Sequence, residues 1–369
     1  MPDPTSIAPV IRAPRIVGAN DPALRFPGAV SVERYHGWAT PWRVPYLQRD
    51  LYLPDRTPVR AAYANGVRIA FRTDSEWLAC RYRAHPAPEM GEPAEQARLD
   101  ICCDERLTAT VDLDADAEVR TFRADLPPGM KRVELWLPCY NRFDLRALEL
   151  APGALAGIDA GPRRPWVHYG SSISNGRGAA SPSRAWHALL ARSAGSDSVS
   201  IGLGGVCHLQ PMFARLMRDL PATLLTVCVG INVCKYGTHN WRSYSDALIG
   251  FLQIVREGHP HTPLVVMSAI HSPRWEEAPG PAGMTLPQYR ELTDRAVAAL
   301  RGHGDRNLHY IDGTEVIGPD DEHLMLEPAG IPALHLGPRG HWVFASRFRR
   351  RLAALGVLPA PAGQRPLAL

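Results

Sequence analysis

The chain has 369 residues, 45% hydrophobic and 21% charged, which is ordinary for a soluble globular protein and long enough for two domains with separate cores. The formal charge of +4 is small for this length, and the basic residues are scattered and almost all arginine, with Lys131 and Lys235 the only lysines, which argues against a nucleic-acid partner. No segment reaches the continuous apolar length that crosses a bilayer, and Met1-Pro2-Asp3-Pro4 carries no basic region followed by an apolar run, so a cytoplasmic protein with no membrane partner is expected.

Residues 30 to 150 read as mostly β. Val67, Ile69 and Phe71 alternate with Arg68, Ala70 and Arg72, and Leu78, Cys80 and Tyr82 with Ala79, Arg81 and Arg83. Leu99, Ile101 and Cys103 repeat the pattern, as do Val133, Leu135 and Leu137. Period-two alternation predicts strands with one face on a core and the other toward solvent. Asn65-Gly66 and Pro127-Pro128-Gly129 are turn signals between them. Several strands without intervening helices predict an all-β sandwich or jelly-roll-like domain over residues 1–155.

A stretch rich in Gly and Pro, 156–165, reads as a linker, after which the pattern changes. Apolar runs at 166–169, 198–203, 223–229, 264–270 and 308–311 alternate with helical patterns at 183–192, 210–220, 244–256, 287–300 and about 340–355. Five strands alternating with helices predict an α/β domain over 164–357, a five-stranded doubly wound parallel sheet. The Pro/Ala-rich end, 358–369, is expected to be a mobile tail. The seven cysteines are an odd number lying in or beside apparent strands, so buried reduced thiols are expected, and no zinc-ligand spacing is present.

Four fragments stand at the carboxyl ends of these strands or after the last one: Gly170-Ser171-Ser172-Ile173, Gly204-Gly205, Gly230-Ile231-Asn232, and His335 five residues before Gly340. In an open parallel sheet that rim is where ligands bind. A serine hydroxyl needs a base to become a nucleophile, and histidine suits the task near neutral pH. The backbone amides of Ser172 and Gly205 and the side-chain amide of Asn232 would supply donors for an oxyanion. Taken singly, each fragment has a plainer explanation: a serine cap, a tight Gly-Gly connection, an Asx-turn at Asn232. His341 rivals His335 but reads as packing or solvated at the start of the last helix, and His208 beside Cys207 lacks further ligands for a metal. Tyr236, His239 and Trp241 would line the pocket mouth or simply pack their loop, and Trp42 or Arg43 would contribute a wall from the first domain.

The series Ser172, Gly205, Asn232, His335 resembles the SGNH hydrolase superfamily, also called GDSL-type esterases and lipases. His168-Tyr169-Gly170-Ser171-Ser172-Ile173-Ser174, Cys207-His208-Leu209 and Gly230-Ile231-Asn232-Val233 resemble a bacterial subgroup with an N-terminal β-sandwich domain. The resemblance implies a flavodoxin-like SGNH fold, Ser172 as nucleophile, Gly205 and Asn232 as oxyanion donors, His335 as general base, and no metal or organic cofactor. It also implies an aspartate three residues before the histidine, where this chain has Pro332, and a proline after it, where this chain has Leu336. Glu327 is the first candidate for the third triad member, with Asp320 and Asp321 behind it, and a main-chain carbonyl is the alternative. The expected function is a serine esterase acting on a small-molecule acyl ester. An acyltransferase using the same site, and a degenerate non-catalytic ligand-binding protein, are the alternatives. The acyl group, the alcohol and the oligomeric state are not legible in the sequence.

Overall fold

The structure, a computed structural model, describes residues 13–52, 57–87, 95–160, 164–327 and 333–358. Pro332 and the tail from 359 onward lie outside the described residues. The first part of the chain runs β1 (Arg15–Gly18), β2 (Ser31–Tyr35), β3 (Trp38–Trp42), α1 (Thr57–Ala61), β4 (Arg68–Thr73), β5 (Trp77–Ala84), β6 (Arg98–Cys103), β7 (Arg106–Asp112), β8 (Arg120–Asp125), β9 (Lys131–Trp136) and β10 (Phe143–Leu150). These form two antiparallel sheets, one in the order β2-β3-β10-β5-β8 with β1 paired to β10, the other β4-β9-β6-β7. The alternating apolar residues of the sequence, among them Ile69, Phe71, Leu78, Cys80, Leu99, Ile101, Val133 and Leu135, meet in the core between the sheets. This is the predicted sandwich, with one short helix, α1, that the alternation did not reveal.

The second part runs β11 (Arg164–Gly170), α2 (Trp186–Ala194), β12 (Ser196–Gly202), α3 (Pro211–Asp219), β13 (Leu224–Cys228), α4 (Ile231–Tyr236), α5 (Tyr244–Gly258), β14 (Leu264–Met267), α6 (Pro273–Glu277), α7 (Leu286–Gly302), β15 (Leu308–Ile311) and α8 (Pro338–Ala354). The five strands form one parallel sheet in the order β12-β11-β13-β14-β15. Both faces are covered, which is why the strands read as apolar runs rather than alternations. Trp166, Val265 and Met267 pack with α2 and α8, including Trp186, Phe344 and Phe348. Val167, Tyr169, Ile201 and Leu225 pack on the other side with Phe213, Phe251 and Val297. The chain leaves β11 to one side for β12 and returns to the other for β13, so a crevice opens at the carboxyl end of β11.

The solvent-facing half of the sandwich pattern needs correction. Part of the outer face of the β4–β9 sheet is not wet: around Arg68 and Glu134 it lies against the second domain, while the outward residues of β7 are exposed. Arg68 is fully buried, paired with Glu134 and with Asp197 of β12, while Arg132 bridges Glu134 at 2.7 Å and Asp159 at 2.6 Å. Alternation reports two faces but not what covers the polar one; Arg68 and Arg132 are buried against opposite charges, and Asp100 is satisfied by Thr110, Ser181 and the Ser183 N–H. Asn65-Gly66 is a turn as predicted, but a buried one. Asn65 Nδ2 donates to Ser174 O and to Ser200 Oγ, both at 3.1 Å, and Asn65 Oδ1 lies 2.9 Å from His187 Nε2. Arg43, expected as a cleft wall, is also fully buried, donating to the carbonyls of Tyr63, Arg60 and Gly202. Trp42 is buried too, its Nε1 donating to Glu33 at 3.1 Å. The expected linker is partly strapped down, since Gly157 and Arg72 exchange backbone hydrogen bonds of 2.8 and 2.9 Å. All seven cysteines are free thiols, six of them buried.

Candidate active site

The turn that carries Ser172 begins where β11 ends, and two glycines make room for it. A methyl group on Gly170 would lie 2.2 Å from Ser174 Oγ, and one on Gly202 would lie 2.4 Å from the Ser174 backbone, so a side chain at either position displaces the turn. Ser174 is held in turn by His168, whose Nε2 lies 2.7 Å from Ser174 Oγ and whose Nδ1 lies 2.8 Å from Thr226 Oγ1. Burial pushes the His168 imidazole down to about 3, so it stays neutral and serves as a strut. The backbone closes on itself, with Asn175 N–H donating to Ser171 O at 2.9 Å and Arg177 N–H to Ser172 O at 3.1 Å. Tyr140 of the sandwich adds its hydroxyl to Ser172 O at 3.4 Å. The Ser172 side chain is therefore presented by a turn anchored on both domains.

His335 is presented by a small hairpin. Leu326 N–H donates to His335 O at 2.7 Å, Gly337 N–H to Leu324 O at 2.8 Å, and Met325 bridges Leu336. Leu336, where the resemblance implies proline, is fully buried in the core shared with Phe344. Across this hairpin Ser172 Oγ lies 2.8 Å from His335 Nε2, and His335 Nδ1 is hydrogen-bonded to Glu327 Oε1. Glu327 Oε2 accepts the N–H groups of Leu334 at 3.0 Å and His335 at 2.9 Å. Burial raises the Glu327 carboxyl, but the His335 hydrogen bond and charge and the two backbone donors outweigh it and hold the group down to about 2. An ionised Glu327 keeps the proton on Nδ1 and leaves the Nε2 lone pair toward Ser172.

The other candidates have different duties. Asp321 receives both guanidinium ends of Arg347 and the Gly318 N–H, and the Asp320 carboxylate has no partner among the described residues, while its carbonyl accepts from His323 Nδ1 at 3.0 Å. His341 is buried, its Nδ1 accepting Trp186 N–H at 3.2 Å and its Nε2 lying 2.8 Å from Arg177 O, and burial pushes it down to about 4. It is a packing strut rather than a base.

On the opposite side of the crevice, Gly230, at φ +117°, turns the chain into α4 and brings Asn232 onto its first turn. Asn232 Oδ1 accepts Cys207 N–H at 3.1 Å, which settles the amide's orientation and points its NH2 end the other way. Gly205 has φ +74°, and a methyl on the adjacent Gly204 would come 3.5 Å from Ser172 Cβ, so the glycine pair passes close beside the serine. His208 Nε2 lies 3.1 Å from Gly205 O and its Nδ1 3.1 Å from Thr238 Oγ1, so it buttresses this loop. Among the described residues no group of three or more His, Cys, Asp or Glu side chains converges as a metal site. Tyr236 sits over Gly205, and His239 Nε2 lies 3.1 Å from His208 O. Trp241 instead lines a separate open cleft of about 690 Å³ with Met284, Leu292 and Arg295.

Residues 163–338 match the GDSL-like Lipase/Acylhydrolase family, and residues 24–146 match the family described as SsfX3, N-terminal domain. The solved structure of SsfX3, a salicylyl-acyltransferase from a tetracycline biosynthetic pathway, is 45% identical, covering 94% of this chain and 99% of its own, with a TM-score of 0.88. This chain belongs to the GDSL-like lipase/acylhydrolase family of the SGNH hydrolases. Two more distant structures share the fold of this family member along most of its length. A protein of Bacteroides ovatus described as a GDSL-like lipase is 18% identical at TM-score 0.77, covering 95% of this chain and 100% of its own. A family two carbohydrate esterase from Cellvibrio japonicus is 13% identical at TM-score 0.63, covering 94% and 98%. No curated protein sequence matches the chain. Among the described residues, no helix of this GDSL-like protein is long and apolar enough to cross a membrane. The fold is that of a GDSL-like hydrolase or acyltransferase, and the 45% identical relative supports the acyltransferase alternative at least as well as the expected esterase.

Proposed function

We propose that this protein is an acyltransferase that carries the acyl group on Ser172 between a donor ester or thioester and an alcohol acceptor. His335 Nε2 takes the Ser172 proton as Oγ attacks the acyl carbonyl, and then gives it to the departing donor group. The acceptor hydroxyl next surrenders its proton to His335 and attacks the acyl-serine, which releases the new ester and restores the serine. Glu327 orients the imidazole and offsets its transient positive charge. The amides of Ser172, Gly205 and Asn232 are assigned to the oxyanion formed in both halves. The observation that carries this reading is the continuous Ser172–His335–Glu327 hydrogen-bonded chain in a protein 45% identical to an acyltransferase. That chain also argues against a degenerate binder, which has no use for an ionised acid behind a histidine.

From the same relative we carry over the acyl class, an aromatic acyl group with a hydroxyl ortho to the carbonyl. Water in place of the alcohol gives ester hydrolysis with the same groups, so the two outcomes are separated by product rather than by site. With an aryl ester of 2-hydroxybenzoate as donor and a graded series of alcohols, chromatography is expected to find the transferred ester rising with acceptor concentration at the expense of free acid. Free acid alone at every acceptor concentration would return the protein to the esterases.

A further inference from the structure

Arg60 lies in the last turn of α1, in the sandwich domain, yet its guanidinium stands at the serine. A methyl group built on Gly204 would lie 3.0 Å from Arg60 Nη1 and 3.5 Å from Ser172 Cβ, which puts Nη1 within about 6.5 Å of that carbon. A side chain at 204 would press on the Arg60 guanidinium from this gap. Arg60 is 7% exposed, and its Nε is buried without a hydrogen-bond partner among the described residues. Its guanidinium carbon lies 5.6 Å from the Tyr63 ring centroid; Tyr63 in turn packs 5.9 Å from Tyr140, the residue bonded to Ser172 O. No ion pair of Arg60 with a carboxylate occurs among the described residues. The carboxylate that bears on Tyr140, Glu95, is taken by Arg177 Nε at 3.4 Å and Gly178 N–H at 2.8 Å.

A guanidinium stays charged and offers five donors in a rigid fork, and burying it without an acid is costly. Such a group beside a nucleophile is suited to a ligand that brings the missing acceptor. We propose that Arg60 is a specificity-determining residue that hydrogen-bonds an oxygen substituent of the acyl group, adjacent to the acyl carbon. This rests on the acyl-serine reading above and names what that acyl group must carry. By ordinary bond lengths an ortho oxygen on a serine-bound aroyl group stands about 4–5 Å from the serine Cβ, and a charge-assisted hydrogen bond adds about 2.8 Å, which covers the span to Nη1. An unsubstituted benzoyl group offers Nη1 no acceptor, and sites built around such a donor discriminate strongly against analogues lacking the acceptor.

The test is calorimetric titration of the full-length protein with 2-hydroxybenzamide and with benzamide, neither of which transfers its acyl group. The wild type is expected to bind 2-hydroxybenzamide about tenfold or more tightly than benzamide. Arg60→Met should bring the two within about twofold, and Arg60→Lys should keep part of the difference, each with a wild-type melting curve. Equal affinities in the wild type, a ratio unchanged in Arg60→Met, or no binding of either amide would overturn the proposal. Because binding requires no attack by Ser172, failure to form an acyl-serine with discrimination intact would sink the catalytic reading alone. Acylation without discrimination would sink Arg60 alone.

Discussion

Ser172→Ala is expected to lower turnover by about 10⁶-fold while leaving the fold and the melting temperature near wild type. Only the hydroxyl is lost, and among the described residues its side-chain partner is His335 Nε2 at 2.8 Å, so no other bond of that hydroxyl is broken there. The Ser172 backbone, through which Arg177 and Tyr140 hold the turn, is untouched. Steady-state kinetics with an activated aryl ester, together with fluorophosphonate labelling, checks both halves. The wild type should be modified at residue 172 and the variant not at all. A variant retaining a tenth of wild-type turnover would move the nucleophile elsewhere.

Glu327→Gln should cost about 10⁴-fold in turnover with KM little changed, the loss seen when an orienting carboxylate of a serine triad is replaced by its amide. The amide keeps the shape but removes the charge that stabilises the imidazolium, and it allows the imidazole to turn its proton toward Ser172. Glu327→Asp is one methylene shorter and cannot reach both His335 Nδ1 and the N–H groups of Leu334 and His335. A loss of about 10²-fold fits that misplacement. The same residue ties the site to stability. Its carboxyl is held at about 2 against an ordinary 4.5, so its contribution is fully present above pH about 4.5 and disappears as pH falls toward 2. Denaturation midpoints of wild type and Glu327→Gln should therefore differ at pH 7, draw together below pH about 4.5 and converge only near pH 2. Unchanged turnover in Glu327→Gln would leave His335 oriented by something other than this acid.

The parts of the site legible in the sequence are those tied to strand ends. Ser172, Gly205 and Asn232 each follow a parallel strand within a few residues, and His335 precedes the last helix, so the alternation of elements alone brings them to one rim. Glu327 was one of three acids in view because spacing cannot tell which carboxylate a hairpin will fold back. Position 332 holds proline, yet the acid arrives from the opposing arm, paired through Met325 and Leu336. The contacts between domains were illegible for a different reason. Period-two alternation labels Arg68 polar whether water or Asp197 receives it, and Asn65-Gly66 reads as a turn whether exposed or pressed onto Ser174. Arg60 carries no local signal at all, since what marks it is its distance from a glycine 144 positions later in the chain.

In the proposed mechanism Ser172 holds the acyl group between donor and acceptor. Rapid acid quench followed by peptide mass spectrometry, during turnover of an activated 2-hydroxybenzoyl ester, reads this directly. An acyl adduct is expected on the peptide containing Ser172, formed at least as fast as turnover and discharged when an alcohol acceptor is added. Sustained turnover with that peptide unmodified at every time point, or with the adduct on another residue, would contradict it.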